Sequence, residues 1–295
     1  MGKSRVVRSQ GFGLVAFMLP ALVLLVLILL YPLLYGFFIS LFDTNLLSKW
    51  EFVFLDNYVS IVKDGELWYS LWITILFSIG SVILQLVFGF AAALFLNSEK
   101  IYCRRILRAL LLIPWIMPHV VAGLVWRWIY NTLYGLLNTI LLSLGLIEQG
   151  ISWLGEPGLA LASVTFAYAW KCFPFAMLMF LAGLQSVPKD LYEAAETDGA
   201  KPWQIFFYIT LPYLAGITMT TTLLTFFRSF KEFSMIHVMT GGGPGNATNV
   251  LSTAVRRVAF DQYRFGYGSA LAIVILLILL VTSIVTRRIA EPDWQ

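Results

Sequence analysis

The chain has 295 residues, 59% of them hydrophobic and only 12% charged, with a mean hydropathy of +0.82. Water-soluble domains are about half apolar and about a quarter charged, so this composition excludes a soluble core and places the chain in lipid. The formal net charge of +4 comes from short basic clusters between apolar runs, the pattern of membrane flanks rather than of a nucleic-acid-binding face.

Crossing a bilayer takes about 20 mostly apolar residues in a helix. Six segments meet that length, at residues 14–40, 71–96, 106–130, 158–185, 208–228 and 266–286, and each is apolar all round rather than along one stripe. The basic start, Met1 to Arg8, imitates a cleaved leader, but the apolar run after it continues through Tyr31-Pro32 to Leu41, which predicts a retained first helix. The expected fold is all-α and integral to the membrane, six transmembrane helices in one domain over residues 1–295, with no internal repeat. Lys3, Arg5, Arg8, Lys100, Arg104, Arg105, Lys189, Lys201, Arg287 and Arg288 fall on one side, ten against six on the other. That bias predicts that both termini face the cytoplasm. The long fifth connection, with Lys231, Arg256, Arg257 and Arg264, runs against it, whereas the third, 131–157, has no Lys or Arg, as an external loop should. Cys103 and Cys172 fall at different membrane depths, which argues against a disulfide.

The fourth connection, 186–206, breaks the apolar pattern. Leu191 to Thr197 is rich in helix formers, Gly199 suits the left-handed end of a helix, and Pro202 suits the first turn of another, so two short helices with a sharp bend are predicted. Asp190, Glu193, Glu196 and Asp198 make this surface acidic, and it calls for a basic partner. Glu193-Ala194-Ala195, then Gly199, then Ile209, Leu211 and Pro212 resemble, in residue type and spacing, the cytoplasmic signature of permease subunits of binding-protein-dependent ABC importers. The resemblance implies the type I importer permease fold, with this segment as a cytoplasmic coupling helix docked in a cleft of the ATPase subunit. Glu193 meets a basic residue there and Gly199 permits the bend. The resemblance also implies a second, homologous permease, two ATPase subunits, an extracytoplasmic solute-binding protein and a place in a bacterial or archaeal inner membrane. The phosphate-cradling pattern GxxxxGK[ST] is absent, since no Lys follows Gly241 to Gly245. The chain is therefore not expected to be an enzyme and is expected to hold no cofactor, ATP and Mg being bound by the partner ATPase subunits.

After the fifth span, Thr240, Gly241, Gly242, Gly243 and Pro244 form an external loop that reads either as a flexible turn or as a close-contact loop. Followed by Thr248, it resembles the carbohydrate-type permeases, the first of two paired permease subunits of maltodextrin-like oligosaccharide importers. The likeness runs from Tyr31-Pro32 through Ile113-Pro114 to the last helix, and departs from the maltose subunit in having no extra amino-terminal helices or large external domain.

Charges at bilayer depth cost roughly 2.5–3.5 kcal/mol each and so face a cavity or a partner. Here they are Arg127, Lys171, Arg228, Lys231 and Glu232. Lys171 lies mid-run, with Pro174 just beyond it, and no acidic residue lies within a helical turn. Arg228 and Glu232 are four apart, and both pairing and lining a path stay open for them. Carried over from the sugar family, the substrate path falls at Lys171, Cys172, Phe175, Thr225, Arg228, Ser229 and Glu232. Neutral-sugar relatives place small, aromatic and amide side chains at such positions; the cationic balance here suits an acidic oligosaccharide, with a neutral one as competitor. A polyol, a sugar phosphate or another solute is the alternative within the importer class. His119 and His237 lack ligands at metal spacing, and no metal site is expected. Trp126, Trp128 and Tyr130 read as an interfacial belt rather than a sugar platform. A membrane enzyme lacks its nucleophile or metal constellation, and a secondary transporter lacks its repeated halves.

Overall fold

The computed structural model describes residues 17–98 and 101–290. Lys3, Arg5, Arg8, Lys100 and residues 14–16 of the first expected span lie outside the described residues, as does the side chain of Arg287. Among the described residues, four helices are each long and apolar enough to cross a membrane, and two bent helix pairs bring the number to six if each is one span.

The first helix, α1 (Phe17–Ser40), widens into a π turn at Val26–Leu30 just before Pro32. Proline has no N–H and its ring crowds the carbonyl four residues back, and the wider turn relieves that clash. Strands β1 (Phe42–Thr44) and β2 (Trp50–Phe52) pair antiparallel, Asp43 opposite Glu51, followed by α2 (Asp56–Lys63). The unbroken spans are α3 (Gly65–Asn97), α7 (Pro157–Ser186) and α13 (Phe265–Ala290). Helix α7 continues through Pro174.

The third and fifth expected spans depart from the single helices read at 106–130 and 208–228. The third is α4 (Arg104–Ile116) and α5 (His119–Ile129), bent by 94°. The residue before a proline is driven out of helical geometry, and Met117, extended at ψ 137°, precedes Pro118. The fifth is α9 (Pro202–Tyr213) and α10 (Ala215–Phe230), bent by 60° after a π turn, Phe206–Thr210, that again precedes a proline, Pro212. Between them lie α6 (Leu136–Ser143) in the third connection and α8 (Lys189–Thr197) in the fourth; α11 (Ser234–Met239) and α12 (Leu251–Arg256) follow in the fifth.

The chain divides into two compact units, residues 1–64 with 255–277, and residues 65–254 with 278–295. In the first, Asn57 Nδ2 donates to the carbonyls of Ser40 (2.9 Å) and Phe42 (3.0 Å), fastening α2 to the start of the hairpin. In α1 only Ile39 and Ser40 are buried, so its apolar surface is left for lipid or another chain. The second unit is built on α3 packed along α7. A side chain at Gly89 would put its Cβ 2.6 Å from the Ala176 Cβ and 2.8 Å from the Met177 nitrogen, so the close approach of the two backbones requires glycine there. Phe77, Val164, Ala167, Tyr168, Met235 and Ile236 form one apolar core, and Leu96, Phe173, Ala176, Met177, Phe180 and Leu184 another. The inward face of α3 also carries a polar stripe, Ser70, Thr74, Ser78, Ser81 and Gln85, at spacings of three and four.

Trp126 and Tyr130 belong to the interior rather than to a belt. Tyr130 is buried, and Trp126 packs against Tyr130, Phe166 and Trp170 at ring separations of 5.1, 5.7 and 5.4 Å; only Trp128 is exposed.

Candidate functional site

Two places in the second unit gather the expected functional residues. The first is the elbow from α8 to α9. Helix α8 ends as Gly199 turns left-handed at φ +77°, with Gly199 N–H donating to the Glu196 carbonyl (3.0 Å) and Ala200 N–H to that of Ala195 (2.9 Å). Those two bonds are a Schellman cap, which satisfies carbonyls that the helix end would otherwise orphan. Pro202 opens α9, and the Gln204 side chain accepts from the Lys201 N–H at 2.7 Å. The Tyr192 hydroxyl, 3.2 Å from Thr210 Oγ1, ties the two arms together. Glu193 and Ala194 are exposed and Ala195 is half-buried. Ile209 lines a cavity of about 340 Å³ in the crook of the elbow with Asp198, Gly199, Gln204 and Tyr208, whereas Leu211 and Pro212 are exposed beyond it. Among the described residues, none of Asp190, Glu193, Glu196 and Asp198 is in an ion pair.

The second place is a polar layer where α3, α4, α5, α7 and α10 come together. Gln85 Nε2 donates to Ser229 Oγ at 3.3 Å, and the Tyr168 hydroxyl lies beside Cys172 and Ser229. Thr225 is buried with its hydroxyl turned onto the Thr221 carbonyl of its own helix (2.7 Å). Lys171 is 2% exposed, and its ammonium reaches the Trp115 carbonyl at 3.5 Å. Trp115 lies in the last turn of α4, where the break at Met117-Pro118 leaves carbonyls without helical partners and the helix dipole is negative. A cation is well placed there. The Arg228 guanidinium sits 4.1 Å over the Phe175 ring, whose other neighbour is the Trp115 indole at 6.3 Å; Arg228 itself is exposed.

Arg228 and Glu232 do not pair. Helix α10 ends at Phe230, so the four-residue spacing no longer puts them on one face, and Glu232 turns elsewhere. Its Oε2 is 2.9 Å from His119 Nδ1 and its Oε1 accepts from the Met235 N–H at 2.8 Å. His119, which has no metal partners at ligand spacing, proves to be Glu232's partner across 113 positions. Among the described residues, no three His, Cys, Asp or Glu side chains gather as a metal site requires.

The glycine loop is closed on itself. Thr240 Oγ1 lies 2.6 Å from Thr248 Oγ1, which also bonds the Gly243 carbonyl at 2.7 Å. Gly242 is buried against Asn249, and Asn249 Nδ2 in turn donates to Ser70 Oγ of α3 at 3.1 Å. Thr240 to Pro244 thus form a turn held by hydrogen bonds within the chain.

Comparison with known proteins sets this architecture in a family. Residues 85–291 match the family of binding-protein-dependent transport system inner membrane components. The chain belongs to that family. It is 38% identical over 277 residues to the trehalose/maltose transport system permease protein MalF of Thermococcus litoralis, covering 92% of each chain. It is 37% identical over 278 residues to the sulfoquinovosyl glycerol transport system permease protein SmoG of Agrobacterium fabrum, covering 93% of this chain and 89% of that one. The crystal structure of a bacterial ABC transporter involved in the import of the acidic polysaccharide alginate contains a chain that superposes with a TM-score of 0.81 at 21% identity, over 97% of this chain and all of the other. That likeness establishes the type I importer permease fold. As a permease component, the chain is an inner-membrane subunit of an ABC importer, and the ATPase resides in a separate subunit.

Proposed function

We propose that this permease carries an oligosaccharide across the membrane, received from an extracytoplasmic solute-binding protein and driven by ATP hydrolysed on two docked ATPase subunits. The observation that carries the sugar reading is likeness over about nine-tenths of the chain to permeases whose names denote sugar transport. A second, homologous permease completes the path, both termini face the cytoplasm, and ATP with Mg binds the ATPase subunits alone. The elbow is the coupling element: Glu193 meets a cation of the ATPase, Ala194 and Ala195 let its surface come close, and Gly199, Ile209, Leu211 and Pro212 hold the bend. The turn Thr240 to Pro244 is the contact for the second permease or the binding protein. In the path, the accessible groups are Phe175 and Arg228, an aromatic face with a cation on it, while Lys171, Cys172, Thr225, Ser229 and Glu232 form the wall behind.

The exposed Arg228, without a carboxylate partner among the described residues, favours a second reading in which the sugar is acidic. Guanidinium groups bind carboxylates in a two-pronged fashion that a neutral sugar does not exploit. The test is ATP hydrolysis by the complete importer in vesicles, with the binding protein present and maltose or uronic-acid oligosaccharides added. Stimulation by either class upholds a sugar permease, and silence with every sugar refutes it. The acidic reading stands only if Arg228→Gln removes the response to uronic acids and spares that to maltose.

A further inference from the structure

Two helix breaks in the second unit, one inside the third span and one after the fifth, lie beside the same carboxylate. The third breaks at Met117-Pro118, and His119 is the first residue of α5. The fifth segment breaks again after α10, at residues 231–233, and α11 starts at Ser234 behind Phe233, whose side chain caps nothing. Glu232 supplies that cap from one position earlier, since Oε1 takes the Met235 N–H at 2.8 Å while Oε2 takes His119 Nδ1 at 2.9 Å. Its backbone carbonyl also accepts from Ser252 Oγ, at 2.5 Å, in the first turn of α12. The residue is 6% exposed, so both carboxylate oxygens are committed inside the chain and neither is free for a solute.

Beyond this point α5 and α11 stay side by side. A Cβ at Gly123 would come 3.3 Å from Val238 Cγ1, and Arg127 Nη1 donates to the Val238 carbonyl at 3.3 Å. We infer that Glu232 is a positioning residue: by clipping His119 to the start of α11 it joins α5 and α11 into one piece, so that the helix breaks at 117–118 and 231–233 move together when the importer turns over. Among the described residues, the groups around the clip include the Tyr168 ring, 6.0 Å from the His119 ring, and Cys172 of α7, whose thiol feels the charges of Lys171, Glu232 and Arg228. None of these groups but Glu232 is a carboxylate, so none of the others replaces it on His119.

This role rests on the permease reading, and it differs from a substrate contact in what its loss does. A clip sets the rate of the conformational step and leaves sugar affinity nearly intact; a contact sets affinity. The complete importer in vesicles, with its binding protein, is assayed for ATP turnover without sugar and across a maltose titration, for the wild type, Glu232→Gln, His119→Gln and the double variant. The expected result is a loss of about tenfold in maximal turnover in each single variant, half-saturation within about twofold of the wild type, and a double variant no slower than either single one. Multiplying losses, or a shift of about tenfold in half-saturation at unchanged maximal rate, overturns the clip. If the wild type ignores both maltose and uronic-acid oligosaccharides, the substrate reading fails by itself, and the sugar-free rates still report whether the two losses are one. Should Glu232→Gln fail to assemble, His119→Leu, at a side chain 39% exposed, cuts the same link, and an unchanged maximal rate there refutes the inference.

Discussion

The elbow between α8 and α9 and the polar layer around Glu232 treat charge in opposite ways. At the elbow four carboxylates stand on an exposed surface with no ion pair among the described residues, while the backbone at the end of α8 is closed by its cap. In the layer the two buried charges sit at helix breaks and are answered within the chain: Lys171 on the last turn of α4, Glu232 on His119 and on the start of α11. The contrast separates two uses of an ionisable group in a membrane protein. An exposed, unpaired cluster on a rigid bend waits for another chain, and a buried charge in an apolar run stabilises the place where a helix has been broken.

The sharpest way to break this contrast is at Glu193. Because it is exposed, Glu193→Lys leaves the chain folded and inserted, but in the docked complex it sets two cations against each other in a dry cleft. Disrupting a buried pair costs about 3–5 kcal/mol, which corresponds to a loss of at least about a hundredfold in subunit affinity. Copurification of the ATPase subunits and ATP-driven uptake should both collapse while the amount of permease in the membrane holds. Retained copurification would move the docking surface off α8.

How legible each region is in the sequence follows from the range of its interactions. The elbow is local: the caps of α8 and α9 join residues at most five apart, so Gly199 and Pro202 announce it. The breaks in the third and fifth spans were half legible, since Pro118 and Pro212 mark them, but an apolar run through a proline is read as continuous unless the bend is required by something else. The layer was legible only as residue types. Glu232 and His119 are 113 positions apart, and the i,i+4 rule pointed to Arg228 because the end of α10 at Phe230 is not marked by a glycine or proline. For the same reason the sequence does not mark Trp115 as the group that receives Lys171, whereas the inward polar stripe of α3, spaced three and four apart from Ser70 to Gln85, corrects the reading of that span as apolar all round.

A smaller effect separates Lys171 from Arg228. The bond to the Trp115 carbonyl is long, so Lys171→Met should cost only about 1 kcal/mol of stability and a severalfold loss of transport. The loss should be the same for maltose and for uronic-acid oligosaccharides, since the ammonium serves the bend rather than a solute. A loss confined to the acidic sugars would instead bring Lys171 into contact with them.

The weakest effect marks the limit of the contrast, where a charge is paired and exposed at once. In the β1–β2 hairpin Lys49 meets Asp43, and Glu51 lies 3.8 Å away. The hydrogen bond to Asp43 raises the Lys49 ammonium above its ordinary 10.5. A lysine raised on folding contributes its stability in full below the unfolded value and loses it as the pH climbs through the folded one. The hairpin should therefore hold unchanged from neutral pH to about 10 and loosen only above about 10.5, and Lys49→Met should abolish that transition without altering transport. A spin label at Ser48, at an exposed site near the hairpin's tip, reads the loosening directly, and mobility that already changed near pH 7 would mean that some group other than Lys49 holds the strands together.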